Sequence, residues 1–440
     1  MNVLLFCGIM LRVIVCFTAG PFNPDWHFQV IQYTAAHGWP PISNYVTPDG
    51  VLYAQSYHPP LYYLLMAPLY LLKPVSEHPV DHFASLFISC INLILIRWLL
   101  DQPLVAPHRH ARALAMAFAC FLPEFVMFGS FVSNDTLTML IGTLIFWLML
   151  SYIMNPTRGR LIWLAVLTGL GLLTKGTFLL TGFALAIVVL LVELRRDRQR
   201  VLSKLALFCL IFAVLGCYKY VENIVYWGRP IVHNLDAGGR VYESQLGTWK
   251  GPQTLYDINV IKLIRRPILQ TKNTFSYPLL MYGTFWYPHI PESTYRGNVF
   301  GYAWVGSITY ALAVVPTLLF LMGLVRGIGW MIQMFRDGPD QRSLISGGAT
   351  LLLLSNLAVV IGAGIKYDAW SCFQSRLCFQ SMMPVLMLFG AGVEILPSKK
   401  WLQWPIFAVC WLTVACGVLY FAIEVPLSMN YLPRGPEVLP

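Results

Sequence analysis

Apolar residues in this chain gather into eleven long runs, at about 3–20, 82–100, 111–131, 136–154, 161–174, 176–193, 203–220, 302–325, 343–365, 377–396 and 402–424. Each approaches the roughly 20 residues that a helix needs to cross a bilayer, with 161–174 the shortest. The pattern predicts an all-α polytopic membrane protein of about 11 transmembrane helices, within bounds of about 10 to 13. A further apolar stretch, 60–72, is short and interrupted by Pro68, and is expected to lie in the interface. Two connections are long, 21–81 and 221–301, and in the second Pro, Gly and polar residues return. There Leu255, Ile258, Ile261, Ile264 and Leu269 recur near helical spacing with Lys262, Arg265 and Arg266 between them, which predicts an amphipathic helix on the membrane face. The expected organisation is a single membrane domain over 1–440. Its cap of interfacial helices comes from two outside loops: 21–81, with juxtamembrane helices, and 221–301.

Charge orients this arrangement. With 60–72 in the interface and the N-terminus inside, fifteen Lys and Arg fall in the inside connections and five in the short outside ones. Nine more lie in or at the edge of the long connection near 221–300, and long loops escape the positive-inside rule. Arg12 alone sits within a span. If 60–72 crossed the membrane, every later loop would flip and the bias would reverse. The first run has almost no basic flank and no clear small-residue cleavage site, so a retained anchor is expected rather than a cleaved signal.

Composition agrees. The chain is 57% hydrophobic and 11% charged, against about 25% charged in soluble domains, which excludes an ordinary soluble enzyme and a disordered chain. The net charge of +10 is no nucleic-acid signal, because half of the 30 basic residues set orientation. Nine of the ten cysteines fall inside apolar runs and none forms a zinc spacing, so they read as small core residues.

Soluble-enzyme signatures are missing. There is no HExxH and no GxSxG, and Gly171–Thr177 carries its lysine at the wrong place for a phosphate loop. No Asp-x-Asp pair is available to hold a divalent ion on a diphosphate. What remains is a set of ionisable residues near the outer ends of the spans: Asp25, His27, His58, Glu124, Asp135, Lys175, Glu222, Asp368 and Arg376. Charge there is costly unless it lines a pocket or reaches water. The topology puts all nine on one side, which predicts an outward-facing polar site.

Several stretches sharpen this. Residues 20–65 run GlyProPheAsnProAspTrpHisPhe, then HisGlyTrpPro, then TyrHisProProLeuTyrTyrLeu. Later come SerAsnAspThrLeu at 133–137, GlyLeuLeuThrLysGly at 171–176, TyrTrpGlyArgPro at 226–230, and GlnSerArgLeu to MetPro at 374–384. In order, spacing and sidedness these resemble the GT-C superfamily of membrane glycosyltransferases. The nearest branch holds the protein O-mannosyltransferases and the lipid A aminoarabinose transferases.

The resemblance implies a GT-C fold and sugar transfer from a polyprenyl phosphate at the outer or lumenal face. It implies Asp25 as general base and Asp135 as a second catalytic acidic residue. His58, Lys175 and Arg376 are implied to bind the donor phosphate. His58 stands where the aminoarabinose branch has a lysine, which ties phosphate binding there to its protonation. Trp26 replaces the second carboxylate that most relatives carry after the first. His27, Glu124, Tyr62, Glu222 and Asp368 are further substrate-binding candidates. Chemically, transfer needs a base for the acceptor hydroxyl and positive charge where the phosphate leaves. A monophosphate offers no diphosphate to chelate, so no cofactor is required and a divalent metal is left open. Direct attack predicts inversion.

Each residue also has a plainer reading. Asp25 can be a solvated cap, Asp135 part of a helix N-cap region, and Lys175 a snorkelling side chain. Arg376 can pair with Asp368, His58 can order the turn before Pro59-Pro60, and Glu124 can sit protonated in the core. Tyr62, Tyr63, Trp286, Tyr287 and Trp304 suit an interfacial belt. Expected partners are a polyprenyl-phosphate-linked sugar, an acceptor glycan, lipid or protein, and the bilayer, with no nucleic acid. The expected location is a bacterial inner membrane or an endomembrane. The competing functions are a transporter or lipid-linked-sugar flippase, and a non-catalytic scaffold.

Overall fold

The computed structural model describes residues 1–18, 26–72, 80–237, 251–269, 276–287, 304–336 and 340–424. Asp25 therefore lies outside the described residues. The first half comprises α1 (Asn2–Thr18), α2 (His27–His37), α3 (Leu61–Tyr70), α4 (Val80–Leu100), α5 (Arg109–Phe121), α6 (Pro123–Ser130), α7 (Asn134–Met154), α8 (Arg158–Leu172), α9 (Phe178–Arg196), α10 (Val201–Gly216) and α11 (Tyr218–Trp227). After it come α12 (Gln253–Tyr256), α13 (Val260–Arg265), α14 (Tyr277–Trp286), α15 (Trp304–Leu312), α16 (Val314–Met334), α17 (Gln341–Tyr367), α18 (Met382–Val393) and α19 (Lys400–Leu419). The described residues include an isolated β-bridge, Val46 with Leu52.

Where they are described, all eleven apolar runs fall largely on helix. Among the described residues, eight helical segments are long and apolar enough to cross a membrane, nine if the bent pair α5–α6 counts as one. The runs at 3–20 and 161–174 form helices of 17 and 15 residues, so length and composition reach fewer spans than the eleven expected. Helix α3 has 10 residues, about 15 Å at 1.5 Å per residue, half of the hydrocarbon thickness. It buries Tyr62, Tyr63, Met66 and Ala67 instead of crossing.

The amphipathic helix expected over 255–269 is two short helices, α12 and α13. Asp257 ends the first in extended backbone and accepts from Lys262 at 2.8 Å. Pro267 disfavours helix at Arg266, so the second ends at Arg265. Leu263 and Leu269 turn inward and pack near Gly283 of α14, while Leu255, Ile258 and Ile261 stay exposed.

Two features fix the bundle. Pro123 has no N–H, and α5 and α6 meet there at 50°. The carbonyls left over are taken by Arg12, which donates to Ala119 at 3.0 Å and Cys120 at 3.1 Å. Its Nε donates to Ser89 on α4 at 2.9 Å, so this fully buried guanidinium joins α1, α4 and α5. Across the molecule α16 and α18 touch backbone to backbone. A Cβ on Gly323 would meet the Leu388 carbonyl at 1.7 Å, and one on Gly392 the Leu319 carbonyl at 1.8 Å.

Candidate active site

Four breaks between helices meet at one end of the bundle. The first opens α7, where the Ser133 side chain accepts the Asp135 N–H at 3.2 Å, so Ser133 is the cap and Asp135 occupies the first turn. The second is the turn between α8 and α9, where the Lys175 N–H donates to Gly171 at 2.9 Å and the Leu61 N–H to Leu173 at 3.0 Å. The third is the 3-10 turn Ser375–Ser381 ahead of α18. It lies against α7 because Gly142 has no side chain; a Cβ there would meet the Gln380 carbonyl at 2.1 Å. The fourth is the start of α2 and α3, which carries His27 and His58.

These breaks bring three predicted residues together. Asp135 is 2% exposed and Lys175 5%. Lys175 Nζ donates to Asp135 Oδ1, and Arg376 Nη1 donates to Asp135 Oδ2 at 3.4 Å. Arg376 Nε also donates to Gln374, and its guanidinium lies 4.2 Å over the Phe128 ring. Two cations on one carboxylate leave the trio with one net positive charge, almost out of water. Burying such charge is costly unless it is paired.

Beside it His58 is buried and its ring stacks on His27 at 5.4 Å; His27 Nδ1 pairs with the Tyr63 hydroxyl at 2.9 Å. Burial holds His58 well below the usual imidazole range, and the charges of His27, Lys175, His233 and Arg376 push the same way. His58 is thus neutral at pH 7, and any contact it makes to phosphate is that of an N–H donor rather than a cation.

Lys175 and His58 open on a cavity of about 390 Å³. Tyr57, Lys219, Asn223, His233 and Tyr367 are among its other polar lining residues. Leu179 and Leu180 of α9, Val359, Val360 and Ala363 of α17, and Leu377 make an apolar wall. Such a chamber suits an anionic group with a hydrocarbon portion.

Other expected residues lie elsewhere. Glu222 pairs with Lys219 and accepts from Tyr218 at 3.0 Å, within α11. Next to it Ser43 donates to Asn223 at 2.7 Å and Trp39 to Tyr218 at 2.9 Å, so this helix fastens the two cap segments together. Asp368 caps α17 in the left-handed region at φ 44 and accepts from Tyr277, so the alternative pairing of Arg376 with Asp368 is not the one formed. Tyr62 is fully buried with its hydroxyl 3.3 Å from Ser85, and Glu124 is fully buried in the first turn of α6. Sequence reasoning missed Gln374, Gln380 and His233. Gln380 accepts from the Thr177 hydroxyl at 2.8 Å and holds the α9 start against the 3-10 turn. Among the described residues no group of three His, Cys, Asp or Glu is placed to hold a metal ion.

Residues 57–218 match the family described as dolichyl-phosphate-mannose-protein mannosyltransferase. No curated protein sequence matches the chain. The oligosaccharyltransferase of Archaeoglobus fulgidus, solved with Zn and sulfate, superposes with a TM-score of 0.50 at 11% identity, over 96% of this chain and 52% of that one. Its apo form gives 0.50 at 10% identity, over 99% and 56%. ArnT of Cupriavidus metallidurans bound to undecaprenyl phosphate gives 0.40 at 13% identity, over 89% and 77%, too low a score to argue from. This chain spans about half the length of the archaeal chains, and what the likeness carries is the fold. That fold is the GT-C fold expected from the sequence, a nearly all-helical membrane architecture.

Proposed function

We propose that this membrane protein of GT-C fold is a glycosyltransferase that moves a sugar from a polyprenyl-phosphate donor to an acceptor hydroxyl. One observation carries the reading: a buried carboxylate holds two cations, one of which, Lys175, lines a chamber with an apolar wall. The match of 57–218 to a family named for a lipid-phosphate-sugar donor supports it. In this reading the isoprenoid lies along the wall of α9 and α17, and the phosphate faces Lys175 and Arg376.

The Asp25 carboxylate takes the acceptor's hydroxyl proton. The acceptor oxygen bonds to the anomeric carbon, the bond from that carbon to the phosphate oxygen breaks, and the configuration inverts. Lys175 and Arg376 stabilise the charge that develops on the departing lipid phosphate. Asp135 keeps both cations in place, and His58 adds a neutral donor. The reaction so written requires no cofactor. The site would face the outer or lumenal side, as the distribution of basic residues suggests.

The test is transfer from a radiolabelled lipid-phosphate sugar by the purified chain and by Asp25→Asn. At least a hundredfold loss of product, with an unchanged melting curve, is expected. Undiminished transfer by a folded Asp25→Asn would remove the base, and substrate-dependent charge movement without glycosyl product would favour the transporter.

A further inference from the structure

His233 lies in the connection after α11, in none of the motifs that point to the site, yet its ring lines the cavity shared with Lys175 and His58. Almost every degree of freedom of this ring is fixed. Its backbone N–H donates to Asp236 Oδ2 at 2.9 Å, and its carbonyl accepts from Asn44 Nδ2 at 3.0 Å. Asn44 reaches it from the first cap segment, with its own backbone in the left-handed region at φ 55. The ring sits between Tyr57, 4.5 Å away, and Tyr367, 4.8 Å away. Asp236 is held in turn by Arg229 at 3.3 Å and the Tyr367 hydroxyl at 3.3 Å.

The tautomer follows from one contact. The Leu235 N–H donates to Nδ1 at 3.2 Å, so Nδ1 is an acceptor and the ring proton resides on Nε2. Burial keeps the ring neutral, lowering its pKa to about 4; Asp236 pulls upward and Lys366 pushes further down. Nε2 has no accepting partner among the described residues and is not one of the sealed polar atoms. A donor held this rigidly and left unused toward a cavity is preorganised for a ligand.

We propose that His233 is a substrate-binding residue of this site, whose Nε2–H donates to a phosphate oxygen of the lipid-phosphate donor. This rests on the donor reading above and adds to it a neutral contact from the second cap segment. The two faces of the phosphate are then held differently: cations of the membrane helices on one side, a fixed neutral donor of the cap on the other.

The experiment titrates the full chain in detergent with undecaprenyl phosphate. His233→Phe keeps the ring and removes the donor; His233→Gln places an amide N–H where Nε2 was. About a tenfold weaker Kd is expected for Phe and less than about threefold for Gln, both at wild-type melting temperature. If the Phe variant fails to fold, Gln against His233→Asn decides, because the Asn amide reaches only the Nδ1 position and is expected to bind as weakly as Phe would. Equal weakening by Gln and Phe, or wild-type binding by Phe, overturns the inference. Inorganic phosphate at matched concentration is expected not to compete, and equal competition overturns the lipid assignment. If Lys175→Met weakens binding while His233→Phe does not, this inference falls alone. If the wild-type chain does not bind the probe, the donor reading falls first and takes this one with it.

Discussion

The same ionic motif occurs at both ends of the helix bundle. At one end Asp135 holds Lys175 and Arg376; at the other Glu394, just past α18, holds Arg326 at 3.0 Å and Arg342 at 2.5 Å. Each group is one carboxylate with two cations, and each joins segments distant in sequence. The difference is water. The side chains are 3%, 6% and 10% exposed in the first group and 14%, 35% and 40% in the second. In the second the surplus positive charge is spread over solvent and the face of Trp330, which lies under both guanidinium groups. In the first the three side chains are almost out of water, and Lys175 lines the cavity. The same ionic motif is thus a solvent-exposed clamp in one place and, in the function proposed, an anion receptor in the other.

The comparison breaks most sharply on the carboxylates. Asp135→Asn removes the carboxylate that pairs with the buried Lys175 and is expected to cost about 3–5 kcal/mol and to abolish transfer. Glu394→Gln is expected to cost less than about 1 kcal/mol and to leave transfer intact. Denaturation curves in one detergent measure both, and equal losses would show that burial does not distinguish the two ends. A smaller effect comes from swapping the cation's shape. Arg376→Lys keeps the charge but loses the planar contacts to Gln374, Asp135 and Phe128, so transfer is expected to fall about tenfold. Arg342→Lys is expected to change it less than twofold, and the same assay decides both.

The smallest effect is in pH. His58 has a folded-state pKa depressed below its unfolded value, so above about pH 6.5 it is neutral in both states and contributes nothing to the slope. As pH falls below that value the unfolded chain takes up a proton that the folded chain refuses. Stability present above pH 6.5 is therefore lost progressively on acidification. Melting temperature against pH should be flatter for His58→Gln; an unchanged slope would count against a neutral buried His58.

Much of this was legible in the sequence. Where they are described, the eleven runs fall largely on helix, because hydrophobic length is a local property that the bilayer rewards directly. Asp135, Lys175 and Arg376 were legible as a set because each sits at a break between apolar runs on the same predicted side. Their convergence on one carboxylate was not, since it depends on how α7, α8–α9 and the 375–381 turn pack. Residues 253–269 misled: their apolar spacing continues through Asp257 to Asn259, but local caps and Pro267 divide the helix. His233 carries no pattern at all. Its placement comes from Asn44, Tyr57 and Tyr367, which lie far from it in the chain.

The break at Pro123 has a consequence for biogenesis. Arg12 enters the membrane with α1, and two of the carbonyls that accept its protons belong to Ala119 and Cys120, more than a hundred residues later. Until they are made, that guanidinium can bond only the Gly8 carbonyl of its own helix at 3.2 Å and then Ser89 of α4. The final seating of α1 is thus coupled to the arrival of α5 and α6. Helix α1 is thus made before α5 and α6 and locked only when they arrive.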